Sequence, residues 1–377
     1  MSAAAISLLV LVSIILIIIL TTRLKLHAFI ALFIVSLLLA FATLPAGTII
    51  KTIKEGFGST MASIGFLIIL GAIIGITLDK TGGTMSIAGF ILSKTGEKRS
   101  AAALGLTGFI TGLPIFCDSG FIILSGLAKS FSRKSAVALP FMATVLATSL
   151  YSVHCLIPPH PGALAATGII DANIGYLIII GMLFAVPGAL SAYFWSRWMT
   201  RRNSAFYEAD NKQDEFQVDR KLPPVLLSFL PIVVPLLLIT IKSLAGLFDK
   251  SGEGTISRIF YFPGEPVIAL FIGVLLSLLL LKKKSIGEMN SLFTDAIVKA
   301  GPILIITAAG GMFGMVIKST GIGEIIGKSL AGTSIGLLVP FLIAVVMKTA
   351  QGSSTVAIIT TASFVAPMLT MLGLDTE

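Results

Sequence analysis

HCLIPPHPGALAATG, residues 154–168, is a polar, proline-paired interruption in a chain otherwise built from long apolar runs. Upstream, 136–153 reads as an apolar helix, and downstream a short helix resumes near Gly162 and runs to Ile170. Pro158 and Pro159 have no backbone N–H and push the residue before each into extended backbone, so a helix arriving at His154 has to end there. Each side alone falls short of the roughly 20 apolar residues that a crossing needs. Together they make one membrane crossing from two half-helices. Such irregular backbone is tolerated at membrane depth only where it faces protein or a water-filled cavity.

Composition agrees with a membrane solvent. Of 377 residues, 55% are hydrophobic and 12% charged, against roughly 25% charged in soluble domains. A soluble enzyme, a disordered chain and a nucleic-acid-binding module are excluded on that ground. The net charge of +9 resides in short cationic clusters between apolar runs: Arg23/Lys25, Lys94/Lys98/Arg99, Lys129/Arg133/Lys134, Arg197/Arg201/Arg202 and Lys282/Lys283/Lys284. Such clusters in short loops mark the cytoplasmic side. The first apolar run follows no positive n-region and reads as a retained span. Cys117 and Cys155 suggest no disulfide framework.

Full-length apolar runs occur at 4–22, 26–43, 61–78, 175–195, 225–247, 264–281 and 300–317. One path puts all five clusters inside. The N-terminus starts outside, the third span returns inside at Asp79, and 100–131, cationic at both ends and broken at GLPIFCDSG (112–120), reads as a re-entrant hairpin. The broken crossing 136–170 follows, then a closing span. Lys51 and Lys54 are exceptions that this path leaves outside. Residues 1–195 thus form a first membrane repeat, 196–224 a cytoplasmic linker of mixed charge ending at Pro223-Pro224, and 225–377 a second repeat with a hairpin at 335–370.

The repeat shows in the residues. GAIIGITLDKTGG (71–83) lies over GGMFGMVIKSTGIG (310–323), with Gly71/Gly310, Gly75/Gly314, Thr81/Thr320 and Gly82/Gly321 each 239 residues apart. The charge path runs the two copies in opposite directions. The expected fold is therefore an all-α polytopic membrane protein of inverted repeats, with re-entrant hairpins and broken transmembrane helices and a site near the midplane. The second copy stops soon after its hairpin break at KTAQGSST (348–355), so the second repeat is expected to be truncated, a fragment or early-stopping frame of a longer protein.

Few residues in these runs carry chemistry. Asp118 is an ionisable carboxylate at membrane depth, where burial pushes a carboxyl toward proton exchange; capping of the second hairpin arm is the alternative role. The half-helix starting near Gly162 aims free N–H groups into the gap that Pro159 helps to open, a setting suited to a carboxylate. His154 and His160 can add hydrogen bonds or carry a proton. In the second hairpin, Lys348 can attract an anion, and Ser353, Ser354 and Thr355 stand at a helix start. Asp79 and Lys80 read as an interfacial pair, and Glu265 and Asp295 as border residues. No metal-ligand spacing, phosphate-binding loop or nucleophile elbow is present.

GFITGLPIFCDSGFIIL (108–124), HCLIPPHPGALAATG (154–168) and AQGSSTVAIITTASFVAP (350–367) resemble the gluconate permease family, proton symporters for gluconate and related sugar acids whose relatives include a D-serine transporter. The resemblance places Asp118 where the family typically has a glutamate. It aligns His154, Pro158, Pro159, His160 and Pro161 with the family's proline-histidine signature, and Gln351, Gly352, Ser353 and Thr355 with its QGSATVA run. It implies a multi-pass protein of the bacterial inner membrane that imports a small hydroxylated carboxylate with protons and needs no cofactor. Its partners are then an organic acid anion, the proton and the bilayer, with no nucleic acid, and a homo-oligomer is compatible with it. Binding is expected from His154, Pro159, His160, Gly162, Lys348, Gln351, Gly352, Ser353, Ser354 and Thr355, and proton coupling from Asp118 and His154. The alternatives are a sodium-coupled carrier of an organic anion or D-amino acid, sodium being ligated by unwound carbonyls near Gly112 and Gly352, and a passive channel or facilitator.

Overall fold

The computed structural model describes residues 3–95, 99–113, 117–135, 137–158, 160–202, 222–248, 259–281, 285–321, 338–351 and 354–369. The described residues are helical throughout, joined by turns. In chain order the helices are α1 Ala3–Thr22, α2 Ala28–Thr43, α3 Ala46–Thr81, α4 Gly83–Thr95, α5 Ser100–Thr111, α6 Cys117–Ser135, α7 Leu139–His154, α8 Pro161–Ile170, α9 Ile174–Arg202, α10 Val225–Phe248, α11 Pro266–Leu278, α12 Ile286–Ser319, α13 Leu338–Gln351 and α14 Ser354–Leu369. Prolines punctuate them as local sterics require: Pro140 and Pro266 sit in first turns, where no N–H is needed. Pro187, Pro231, Pro235 and Pro302 lie inside helices, which neighbouring helices make tolerable in membranes.

Among the described residues five helices, α1, α3, α9, α10 and α12, are long and apolar enough to cross a bilayer. Two expected spans are shorter than the apolar runs suggest. α2 has 16 residues and α11 has 13, which rise about 24 and 20 Å. α2 starts only after His27, whose side chain accepts from the Phe29 N–H, and ends before Pro45. α3 departs the other way. It begins at Ala46 rather than near 61 and has 36 residues, so Lys51 and Lys54 lie on a helix, exposed, with Lys51 close to Glu55 one turn on.

Helix ends recur at the repeat offset of 239 residues. α2, α3, α5 and α6 reappear as α11, α12, α13 and α14 with starts shifted by one to two residues. Gly82 and Gly321, one such pair, are the glycines with positive φ among the described residues (81° and 72°), each just past the end of a long helix where a left-handed residue stops it.

The chain divides into two compact units, and each draws on both halves of the sequence. The first comprises Met1–Ile68, Pro161–Asn173 and Lys299–Glu377; the second comprises Ile69–His160 and Ile174–Val298. In the first, Val10, Ile17, Leu32, Val35 and Leu39 pack with Met312, Phe313 and Val316. α3 crosses α12 so closely that a Cβ built on Gly311 would collide with Thr60 Oγ1. Small residues permit such approaches between membrane helices. In the second, Leu104, Leu124, Met142, Leu146 and Leu150 form the core of α5, α6 and α7.

Ionic contacts tie helix ends within the second unit. Lys80 pairs with Asp295, and Lys242 with Glu265. The sequence reading matched Lys80 with its neighbour Asp79. The fold adds a further partner, because it carries α12 past the end of α3 and offers Lys80 a carboxylate that no local pattern announces.

Candidate functional site: two broken helices

In the second unit, α7 stops at His154 as the paired prolines require. The Leu156 and Ile157 N–H groups turn back onto the Val153 carbonyl, and the His160 N–H donates to the Ile157 carbonyl at 3.3 Å. This tight return folds the chain over itself and brings the His154 and His160 rings into contact, with centroids 3.6 Å apart at 54°. His160 is buried. α9 closes over the turn: a Cβ on Gly181 would collide with the Leu156 carbonyl oxygen. Six residues of separation do not predict ring contact; the tight return through Ile157 creates it.

The same unit holds α5 and α6, a helix–break–helix pair. The Ser100 and Ser135 hydroxyls, at the start of one arm and the end of the other, are hydrogen-bonded at 2.8 Å. Asp118 is the second residue of α6. Its side chain lies outside the described residues, as do Pro159, Gly352, Ser353 and the side chain of Gln351.

In the first unit, α8 starts at Pro161 with Gly162 buried and packs along α14. α12 also packs closely on α14, where a Cβ on Gly310 would collide with Ile359 Cγ2. The two half-helices that follow the two sequence breaks are therefore direct neighbours. Across the second break, Lys348 Nζ at the end of α13 donates to Ser354 Oγ at the start of α14, at 2.8 Å. Lys348, Ser354 and Thr355 are half-buried. An ammonium has three donors and no acceptor, so this bond orients it over a helix N-terminus that is itself attractive to anions.

Sequence reasoning passed over Thr360 and Thr361. Most serines and threonines on these helices, such as Thr107, Thr167 and Ser363, return their hydroxyl to a carbonyl one turn back. The hydroxyls of Thr360 and Thr361 on α14 are buried and have no partner among the described residues. Paired threonines two turns into an apolar half-helix were the signal available. Among the described residues no group of three or more His, Cys, Asp and Glu gathers as metal ligands would.

Comparison with known proteins gives one family. Residues 5–376 match the GntP family permeases. The chain is 32% identical to the inner membrane permease YgbN of Escherichia coli over 380 residues, covering 96% of this chain and 83% of that one. It is 31% identical to a gluconate permease of Pseudomonas aeruginosa over 379 residues, covering 97% and 83%. Among solved structures, the YdaH transporter of Alcanivorax borkumensis, described as having an unusual topology, superposes with a TM-score of 0.58 at 16% identity over 88% of this chain and 76% of that one. That likeness concerns the fold alone.

Proposed function

Because this chain belongs to the GntP permease family, a family of inner-membrane transporters and not enzymes, we propose that it is a proton symporter importing gluconate or a related small hydroxylated carboxylate. The observation that carries this reading is the Lys348–Ser354 bond across the break between α13 and α14, beside the half-helix α8. A cation fixed over one helix start, with a second half-helix packed alongside, suits a carboxylate. Gln351, Gly352, Ser353, Ser354 and Thr355 at one break and Gly162 at the other are the proposed substrate contacts. Pro159, between the two histidines in sequence, is a further proposed contact. His154 and His160, whose rings are in contact, form the proposed relay that, with Asp118, carries the proton.

The finer architecture is part of this proposal. The Ser100–Ser135 bond joins both ends of the α5–α6 pair and supports a re-entrant hairpin that leaves on the side it came from. The repeated helix ends support two repeats, 1–195 and 225–377, on either side of the linker 196–224. α3 and its counterpart α12 each contribute residues to both units, and the proposal takes the repeats as inverted, as the positive-charge path of the sequence requires.

The test is uptake into proteoliposomes of radiolabelled gluconate, glycerate and D-serine by the wild type, Lys348→Arg and Lys348→Met. A sugar acid should be accumulated by the wild type, partly by the arginine variant, and at least tenfold less well by the methionine variant, with the loss in KM. D-serine uptake with no sugar-acid uptake would overturn the substrate class, and a methionine variant with wild-type KM would overturn the anion role of Lys348.

A further inference from the structure

We propose that a groove between α5 and α9, in the second unit, is a binding site for an anionic glycerophospholipid, with an acyl chain along the groove and the phosphate at Arg99 and Arg197. The cavity has a volume of about 300 Å³ and is lined by Ala102, Gly105 and Phe109 of α5 and Ala189, Leu190 and Phe194 of α9, with Ser149 of α7 at its floor. Leu190 and Phe194 are more than half exposed, so the groove opens sideways along a helix whose surface is apolar and which is long enough to span the bilayer.

Which end is cationic follows from helix directions. α5 runs parallel to α7, since Gly105 lies against Val145 and Gly112 against Val153. α7 runs antiparallel to α9, since Leu156 meets Gly181 and the Phe141 ring meets Tyr193 at 5.6 Å. The start of α5 and the end of α9 therefore share one end of the groove. Arg99 stands three residues before Ala102, the first lining residue of α5, and Arg197 three residues after Phe194, the last of α9. Both arginines are exposed, and neither makes an ion pair among the described residues. Trp195 and Trp198, exposed and in ring contact at 5.2 Å, mark the same level as a headgroup interface. The eleven steps along α9 from Val186, its deepest lining residue, to Arg197 rise about 16 Å, close to half of the roughly 30 Å hydrocarbon core. The groove thus has the depth of one leaflet, apolar walls below and two exposed guanidinium groups on top. That is the charge pattern of a phosphodiester lipid, because guanidinium pairs with phosphate oxygens in a bidentate fork.

The test uses the delipidated protein in detergent and titrates phosphatidylglycerol and phosphatidylcholine of identical chains, read by native mass spectrometry. The wild type should bind phosphatidylglycerol about tenfold or more tightly, as two basic side chains near an anionic headgroup imply. Arg99→Ala with Arg197→Ala should bring the two lipids level. Ala189→Trp, which fills the groove, should weaken both, with its melting temperature confirming the fold. Equal binding of the two lipids by the wild type, a preference that survives the double arginine variant, or displacement of phosphatidylglycerol by millimolar inorganic phosphate would each overturn the proposal, the last by showing a site for soluble anions.

Discussion

Gly56 and Gly58 sit two residues apart on α3, and alanine should act on them with opposite sign. A methyl on Gly56 would stand 2.6 Å from Met315 Cβ, 2.8 Å from the Gly311 carbonyl oxygen and 2.8 Å from Met312 Cα. Two of these atoms are main chain and the third is the root of a side chain, so none can swing aside. α3 and α12 must part by about 1 Å to restore ordinary carbon contacts, and overpacking of this kind costs about 1–3 kcal/mol. At Gly58 nothing lies within 4 Å, and alanine there only gains the helix preference over glycine, up to about 1 kcal/mol. That gain is common to both sites and cancels in the comparison, leaving the packing cost of about 1–3 kcal/mol as the difference between two proteins of identical composition. Thermal melting of purified Gly56→Ala and Gly58→Ala in one detergent measures it. Gly58→Ala should melt at or above the wild type and Gly56→Ala below both. Equal melting of the two variants would refute the close crossing of α3 and α12.

Other consequences can be checked in the same preparations. In a background lacking Cys117 and Cys155, cysteines at Ser100 and Ser135 should form a disulfide under mild oxidation, since their hydroxyls are 2.8 Å apart and the Cβ separation a disulfide needs is about 3.8 Å; failure to cross-link would contradict the joined arms of α5 and α6. Thr360→Val removes a buried hydroxyl that has no partner among the described residues, so stability should hold or rise by about 1 kcal/mol. Sugar-acid uptake should fall if that hydroxyl is kept for the substrate, and wild-type uptake would show that it is not.

Much of the fold was legible because its punctuation is local. Pro158 ends α7, Pro140, Pro161 and Pro266 open helices, and QGSS separates α13 from α14, each through sterics a few residues wide. The repeat offset read from four residue pairs reappears in the ends of four pairs of helices. What could not be read depends on distant partners or on length. The extension of α3 through Lys51, Lys54 and Glu55 was missed because a reading tuned to apolar runs stops at charges, although a helix that outlasts the bilayer can carry them. Lys80 meets Asp295 across 215 residues, and Gly56 differs from Gly58 only through α12. At the candidate site, the breaks were legible, but the ring contact of His154 with His160 and the reach of Lys348 to Ser354 arise from how the chain returns after each break.

Substrate-driven proton movement tests the central claim most directly. Proteoliposomes carrying a trapped pH indicator, with no imposed gradient and no sodium, would receive external gluconate. Symport predicts that the lumen acidifies as gluconate enters and that Asp118→Asn abolishes the acidification. Gluconate entry with no change in lumenal pH, or entry that requires sodium, would contradict it.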